Sequence, residues 1–364
     1  MEYKKLRIAY ILSSPGNFGP FIVAKDIISG IRSSADVIDV LYLKESEEKL
    51  SFEADHLLKI DFFKSIDLSG YDVIHSHGFL ADAYVYYHRR KMPGKTLTTM
   101  HQNIKPDYSM AYGGLIGNVL EKIWCHFINR TDKVVCLSKD MVGYYKNKVK
   151  PVKLIAVHNG INPLVELTPP SSEQYFDILK LKDNNIVIGV SARLIYRKGI
   201  DLIIEALAKS KNQNVMLLVI GDGEKKEELE MLAKNLNISE RCFFVGYQKH
   251  VYPYFKLMDL YIMSSRSEAF GLCLLEAASL KIPIVCADLP IYRELFQEND
   301  VIRFIPEDSS SLSLAIEKAI PIKEQLSNNI YTKYLEEFTV DIMAQKYLTI
   351  YNGLINLPKT SNDD

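Results

Sequence analysis

Glu268 and Glu276 stand with seven residues between them in Ser-Glu-Ala-Phe-Gly-Leu-Cys-Leu-Leu-Glu-Ala-Ala-Ser-Leu, residues 267–280. A strand-like apolar run, Leu260 to Met263, ends just before this stretch, and a helix-like run starts at Leu272. Glu268 is therefore predicted at a turn and Glu276 in the helix that follows. A helix start offers free backbone N–H groups and a positive dipole to an anion, while carboxylates beside it accept hydrogen bonds from hydroxyls. A sugar joined to phosphates carries both kinds of group. A plainer reading stands beside this one, in which two acidic side chains near a helix start simply favour its dipole.

The segment Ser-Ala-Arg-Leu-Ile-Tyr-Arg-Lys-Gly, residues 191–199, follows the first predicted strand of the second half and precedes the helix-like Ile-Asp-Leu-Ile-Ile-Glu-Ala-Leu-Ala. Arg193 and Lys198 thus fall at a strand-to-helix turn. A guanidinium fork and an ammonium point charge there suit a diphosphate, although a solvated basic loop has the same composition. The next strand runs into Gly221-Asp222-Gly223, but Lys226 occupies the third glycine position of a dinucleotide fingerprint, so the reading is a tight turn. Ser-Ser-Pro-Gly-Asn-Phe-Gly-Pro-Phe, residues 13–21, follows the first strand of the chain. Gly16 and Gly19 there permit close approach of backbone to a ligand, and a simple Pro-Gly turn is the alternative. His75, His77 and His101 all fall near predicted strand ends. A zinc reading of His75-x-His77 fails for want of Cys or acidic ligands at useful spacing.

These residues need a scaffold that delivers them after strands, and the apolar pattern supplies one. Strand-length runs alternate with helix-like segments in both halves, the mark of parallel α/β architecture. The first half holds 6–12, 37–43, 73–77, 96–100, 134–137 and 154–157; the second holds 186–190, 215–220, 243–245, 260–263, 282–286 and 302–305. Two doubly wound, Rossmann-like domains follow, with ligand expected at the carboxyl ends of the strands in a cleft between them. The predicted boundaries are 1–165 for an N-terminal domain, 166–184 for a linker and 185–339 for a C-terminal domain. Thr-Pro-Pro-Ser-Ser, 168–172, interrupts periodicity as a linker does. The helical segment in 340–364 has no strand after it and is expected to cross back to the first domain. Asn159-Gly160 is read as a turn before the linker.

With 364 residues and 48 % apolar content, the chain can bury substantial cores. Five cysteines with no CxxC spacing lie mostly in apolar runs, which favours a reducing cytoplasm over a disulfide framework. No apolar stretch reaches the roughly 18 residues of a membrane span, so a cytoplasmic protein is expected, peripheral at the inner membrane face at most. The formal charge of −1 conceals an asymmetry: residues 83–153 carry 13 basic and 4 acidic side chains. Tyrosines interleave with these cations in 83–95 and 144–153, and 113–124 adds an apolar helix. Such a sector suits an anionic membrane surface, or it is a solvated face over a core helix. No nucleic-acid motif accompanies the charge.

Taken in order, Arg-Leu-Ile-Tyr-Arg-Lys-Gly-Ile-Asp, Val-Ile-Gly-Asp-Gly-Glu, Phe-Val-Gly-Tyr and Ser-Glu-Ala-Phe-Gly-Leu-Cys-Leu-Leu-Glu-Ala resemble the donor-binding domain of family 4 glycosyltransferases of the GT-B fold. Looser resemblances in the first half are Asp-Val-Ile-His-Ser-His-Gly (72–78), Thr-Met-His-Gln-Asn (99–103), Val-Cys-Leu-Ser (135–138) and His-Asn-Gly-Ile-Asn (158–162). The resemblance implies a retaining transferase that moves a hexose or related sugar from a nucleoside-diphosphate sugar to a saccharide acceptor, lipid-linked, in bacterial surface polysaccharide, O-antigen or lipopolysaccharide assembly. By the same resemblance, Arg193 and Lys198 hold the diphosphate and support its departure, and Glu276 accepts from the ribose hydroxyls. Glu268 contacts the transferred sugar, Phe270, Gly271 and Leu272 present backbone N–H groups, and His101 lies beside the donor sugar. Gly16 sits where the family has a small-residue loop near the donor, though here the usual adjacent glycine pair is lacking. No metal cofactor is expected, since no Asp-x-Asp occurs and cations plus a helix start can stabilise the leaving diphosphate. A nucleotide-sugar 2-epimerase of the same fold and a non-catalytic sugar-binding protein are the alternatives.

Overall fold

The computed structural model describes residues 5–163, 170 and 172–356. The chain divides into two compact units, residues 1–161 with 338–364, and residues 162–337. The first holds seven strands: β1 (Leu6–Leu12), β2 (Ala35–Tyr42), β3 (His56–Lys59), β4 (Val73–His77), β5 (Lys95–Met100), β6 (Lys133–Cys136) and β7 (Leu154–Ala156). The second holds six: β8 (Ile186–Ser191), β9 (Val215–Ile220), β10 (Cys242–Phe244), β11 (Leu260–Met263), β12 (Ile284–Ala287) and β13 (Ile302–Phe304).

Both sheets are parallel and doubly wound. Their orders are β3-β2-β1-β4-β5-β6-β7 and β10-β9-β8-β11-β12-β13. The order therefore reverses between β1 and β4 in one unit and between β8 and β11 in the other. Loops that leave the carboxyl ends on either side of such a switch point diverge and open a crevice. The segments after β8 and β11 nevertheless meet at the base of that crevice, because the two strands are paired neighbours. Central strands read as continuous apolar runs because helices cover both faces; β9, for instance, is Val-Met-Leu-Leu-Val-Ile with only Met216 partly exposed. The core of the second unit joins Ile188, Val190, Leu217, Val219, Leu260 and Ile262 of the sheet to Ile203, Ile204 and Leu207 of the helix Ile200–Lys209.

Two features depart from the sequence pattern. Strand β3 carries no apolar run and is exposed along its whole length. It forms at the sheet edge because the Asp55 carboxylate and N–H pin it to Ile38 (2.7 Å each) while His56 bonds Asp39 at 2.9 Å. Within the span 166–184, residues 173–182 form the helix Glu173–Lys182, started by the Ser172 side chain accepting from the Tyr175 N–H. The remainder of that span at 166–169 and 171 lies outside the described residues, as does the tail 357–364.

The helix Val340–Asn356 belongs to the first unit. It packs on the helix Gly19–Ile31 at Gly30, where a Cβ would come within 2.5 Å of the Ala344 Cβ. Gly160 is required for the same crossing, since a Cβ there would lie 2.1 Å from the Thr339 carbonyl oxygen. The Asn159-Gly160 turn is thus a packing point for the returning chain, fastened by the Ile161 N–H donating to Phe338 at 3.0 Å.

Candidate active site

The second unit assembles its charged side chains through backbone contacts between the segments after β8 and β11. The Ser264 hydroxyl donates to the Lys198 carbonyl at 3.0 Å, and the Arg266 N–H donates to the Arg197 carbonyl at 2.8 Å. The Arg266 side chain then donates to the Tyr196 carbonyl and grips Asp201 with both ends of its fork, at 2.9 and 2.7 Å. Gly199 has φ +64°, and a Cβ on it would strike the Ser264 carbonyl at 2.2 Å, so only glycine lets the two segments come this close.

Their side chains converge on Glu268. Its carboxylate is 8 % exposed, pairs with the Lys198 ammonium, accepts from the Ser265 hydroxyl at 2.9 Å, and lies 3.4 Å from the Arg197 guanidinium. Arg197 also donates to the Ser267 carbonyl at 2.9 Å. Burial pushes the Glu268 carboxyl up, but the Lys198 and Arg197 charges, with hydrogen bonds from Lys198 and Ser265, outweigh it and hold the group below its ordinary value. Glu268 is therefore an anion kept in place. It can accept hydrogen bonds from a hydroxylated ligand; it is a poor proton donor.

Phe270, Gly271 and Leu272 carry the chain from this carboxylate into the helix Leu272–Ser279, which starts at Gly271 with φ +92° and no side-chain cap. Its first amides point toward the turn, as at any helix start. Glu276 is half-buried on this helix. The Cys273 thiol between the carboxylates is pushed up to about 12 by burial, then by Glu276 and Glu268, against Lys198. Both glutamates and Lys198 thus share one electrostatic neighbourhood. Beneath it, the Tyr292 hydroxyl is buried, and Glu268 adds to burial in raising it well above its ordinary value.

Arg193 is exposed on the preceding turn and makes no ion pair among the described residues. Its turn is gripped by Gly221-Asp222-Gly223: Leu194 donates to the Asp222 carbonyl at 2.9 Å, and a Cβ on Gly221 or Gly223 would collide with Ala192 or Leu194. The two glycines read as a tight turn therefore also cradle the arginine loop. Arg197 is the residue that sequence reasoning passed over. Beside Lys198 it looks like half of a solvated basic pair.

The remaining site candidates belong to the first unit. His101 follows β5, and its Nε2 lies 2.9 Å from the His77 Nδ1; burial pushes the His101 imidazole down to about 3. A neutral ring at every ordinary pH can orient or polarise a hydroxyl without charge. His75 is fully buried, bonded through Nδ1 to the Tyr351 hydroxyl and through Nε2 to the Thr99 hydroxyl, at 2.8 Å each. Tyr10 and Tyr347 extend this network at 2.8 and 3.0 Å. Gly16 is buried against the chain's own Ser46, whose hydroxyl would lie 2.5 Å from a Cβ there. Helix Gly19–Ile31 starts nearby with no side-chain cap. No group of three or more His, Cys, Asp or Glu side chains among the described residues is arranged to hold a metal ion.

Two doubly wound parallel sheets, one in each unit, are the architecture of the GT-B fold. The chain belongs to glycosyltransferase family 4 and is a glycosyltransferase: residues 38–163 match the model of Glycosyltransferase Family 4 and residues 171–334 that of Glycosyl transferases group 1. It is 32 % identical to the O-antigen biosynthesis glycosyltransferase WclY of Escherichia coli over 96 % of this chain and 99 % of that one. Among solved structures it resembles Anabaena Alr3699/HepE in complex with UDP and glucose (TM-score 0.79, 19 % identity, 96 % of this chain and 100 % of that one). It also resembles WaaG, a glycosyltransferase involved in lipopolysaccharide biosynthesis (TM-score 0.70, 19 % identity, 95 % and 100 % covered).

Proposed function

We propose that this glycosyltransferase takes a hexose or related sugar from a nucleoside-diphosphate donor and passes it, with retention, to a lipid-linked saccharide in bacterial surface polysaccharide assembly. One observation carries the donor half of this reading: a buried carboxylate shares its place with two cations beside an uncapped helix start. Lys198 and Arg193 receive the diphosphate, and the amides of Phe270, Gly271 and Leu272 stabilise charge as the diphosphate leaves. Glu268 orients the sugar and Glu276 accepts from the ribose. In the first unit, His101, whose Nε2 lies 2.9 Å from His77, and Gly16 keep the donor-side roles that the family resemblance gives them. Fixed cations meet the leaving charge, so no metal is assigned.

Support for the acceptor comes from WclY, named for O-antigen biosynthesis, and from WaaG, named for lipopolysaccharide biosynthesis. A front-face route fits retention, because Glu268 is tied to two cations and Glu276 already has a binding role in this reading. The first unit has a surface suited to an anionic leaflet on the cytoplasmic side: Tyr112, Leu115, Ile116, Val119 and Ile123 are exposed on the adjoining helices Ile104–Tyr112 and Gly114–Ile128, amid the basic sector. No helix among the described residues is long and apolar enough to cross a membrane.

The test is a thermal-shift screen of nucleotide sugars followed by labelled transfer to lipid-linked saccharides, with the product's anomeric configuration determined. Transfer with retention is expected. Turnover of donor without acceptor would instead establish the epimerase, and inversion would overturn the front-face route.

A further inference from the structure

Glu268 has more counter-charge than it needs. One carboxylate faces two cations, and the two are not equivalent. Arg197 is fixed at both ends: its guanidinium reaches the Glu268 Oε2 and donates to the Ser267 carbonyl at 2.9 Å, while its own carbonyl receives the Arg266 N–H at 2.8 Å. Lys198 instead ends in an ammonium with three donors on a flexible stem, engaged with one oxygen of the same carboxylate. An arriving diphosphate can take a share of Lys198. Arg197 instead directs its Nη1 at Ser267 and Glu268 on the segment after β11.

That asymmetry matters because Glu268 is 8 % exposed. A buried carboxylate that loses its counter-charge takes up a proton or swings toward solvent. If Lys198 were its only cation, phosphate binding would weaken the pairing just when a second negative group drew near. We infer that Arg197 is a positioning residue, the resident counter-ion of Glu268, which frees Lys198 for the donor's diphosphate. This rests on the proposed nucleotide-sugar reading. It assigns the two neighbouring cations different work: Lys198 serves ligand and carboxylate in turn, and Arg197 serves the carboxylate throughout.

The groups facing Glu268 define what a pH experiment reads. Lys198 and Arg197 come from the turn after β8, Ser265 from the segment after β11, Cys273 from the helix Leu272–Ser279, and Tyr292 from the helix Pro290–Leu295. Burial raises the Cys273 thiol and the Tyr292 hydroxyl, the thiol to about 12, so both stay neutral in an assay between pH 5 and 9. Glu276 contributes through its influence on Cys273.

The test compares R197Q, R197K and K198A with the wild type, using uridine diphosphate as the binding probe and full transfer for kcat, KM and pH dependence. For R197Q we expect uridine diphosphate affinity within about threefold of wild type. Its kcat should fall on the order of tenfold, and the acid limb of the kcat profile should move up by about one pH unit, the direction set by a carboxyl that has lost a positive neighbour. R197K should restore the acid limb, since it returns the charge. K198A should show the opposite balance, losing affinity first. Thermal melts establish that each variant is folded. R197Q with wild-type kcat and pH profile would overturn the inference, and so would a loss of uridine diphosphate affinity as large as that of K198A, which would make Arg197 a direct phosphate ligand. Failure of the underlying reading looks different: the wild type itself would bind no nucleoside diphosphate.

Discussion

The two units bury polar side chains on or just beyond their central strands, and reach opposite electrical outcomes. Around His75 the first unit builds a network of imidazoles, phenols and a threonine that is neutral throughout, and burial holds His75 and His77 well below the ordinary histidine value. Around Glu268 the second unit keeps a full negative charge under similar burial, because Lys198 and Arg197 overrule desolvation. Burial alone does not set protonation; the presence of a counter-charge does. A neutral network suits structure and hydroxyl recognition. A compensated charge suits a ligand that brings both hydroxyls and phosphate.

Breaking the charged member should have the largest effect. Glu268→Gln is expected to cut transfer by roughly 10²- to 10³-fold, the scale of a lost electrostatic contact in a water-poor site. The protein should stay folded, checked by circular dichroism and initial rates; wild-type turnover would remove Glu268 from the site. The neutral member is tested by Tyr351→Phe, which strips a hydroxyl bonded to both Tyr10 and His75. Leaving those buried partners unsatisfied should cost about 2 kcal/mol in urea unfolding. A loss below about 0.5 kcal/mol would mean the network carries little of the fold.

Two finer measurements sharpen the contrast. Glu276→Ala should weaken donor binding about tenfold, near 1.4 kcal/mol, with kcat retained, as a lost hydrogen bond from a ribose hydroxyl would. A fall in kcat with unchanged donor KM would assign Glu276 to the chemistry instead. The smallest signal is spectroscopic. Asp82 is buried with no cation paired to it among the described residues, accepts from Ser76, Thr98 and Trp124 at 2.6 Å each, and is pushed up to about 6 by burial. Folding raises its affinity for a proton, so its contribution to stability is full below the ordinary value near 3.8 and is lost as pH climbs past about 6. Trp124 is the chain's one tryptophan, so its emission should titrate with a midpoint near 6 in wild type and not in Asp82→Asn. An emission flat from pH 5 to 8 would contradict that environment.

Most of the architecture was legible because central strands of a covered parallel sheet must be apolar on both faces, and runs such as 215–220 can hardly be read otherwise. Edge strand β3 escaped because its stability comes from Asp55 and His56 rather than from burial. Glu268, Lys198 and the Gly271 turn were visible as residue types at a strand-to-helix junction. Arg197 was not, since its meaning depends on Gly199 bringing one loop against another some 70 residues away. The work of Gly221 and Gly223 under the arginine loop was hidden for the same reason. Tyr347 and Tyr351 did carry a signal: tyrosines four apart share one helix face, and both are fully buried.

The return of Val340–Asn356 to the first unit sets an order of events during synthesis. The first sheet leaves the ribosome early, yet His75, Thr99 and Tyr10 must wait for phenols about 250 residues or more downstream, while residues 162–337 form one uninterrupted stretch. The unit translated second can therefore be completed first. A chain cut short near residue 338 lacks the phenols that Tyr10, His75 and Thr99 bond in the folded protein, and so leaves three buried polar groups of the first sheet without those partners.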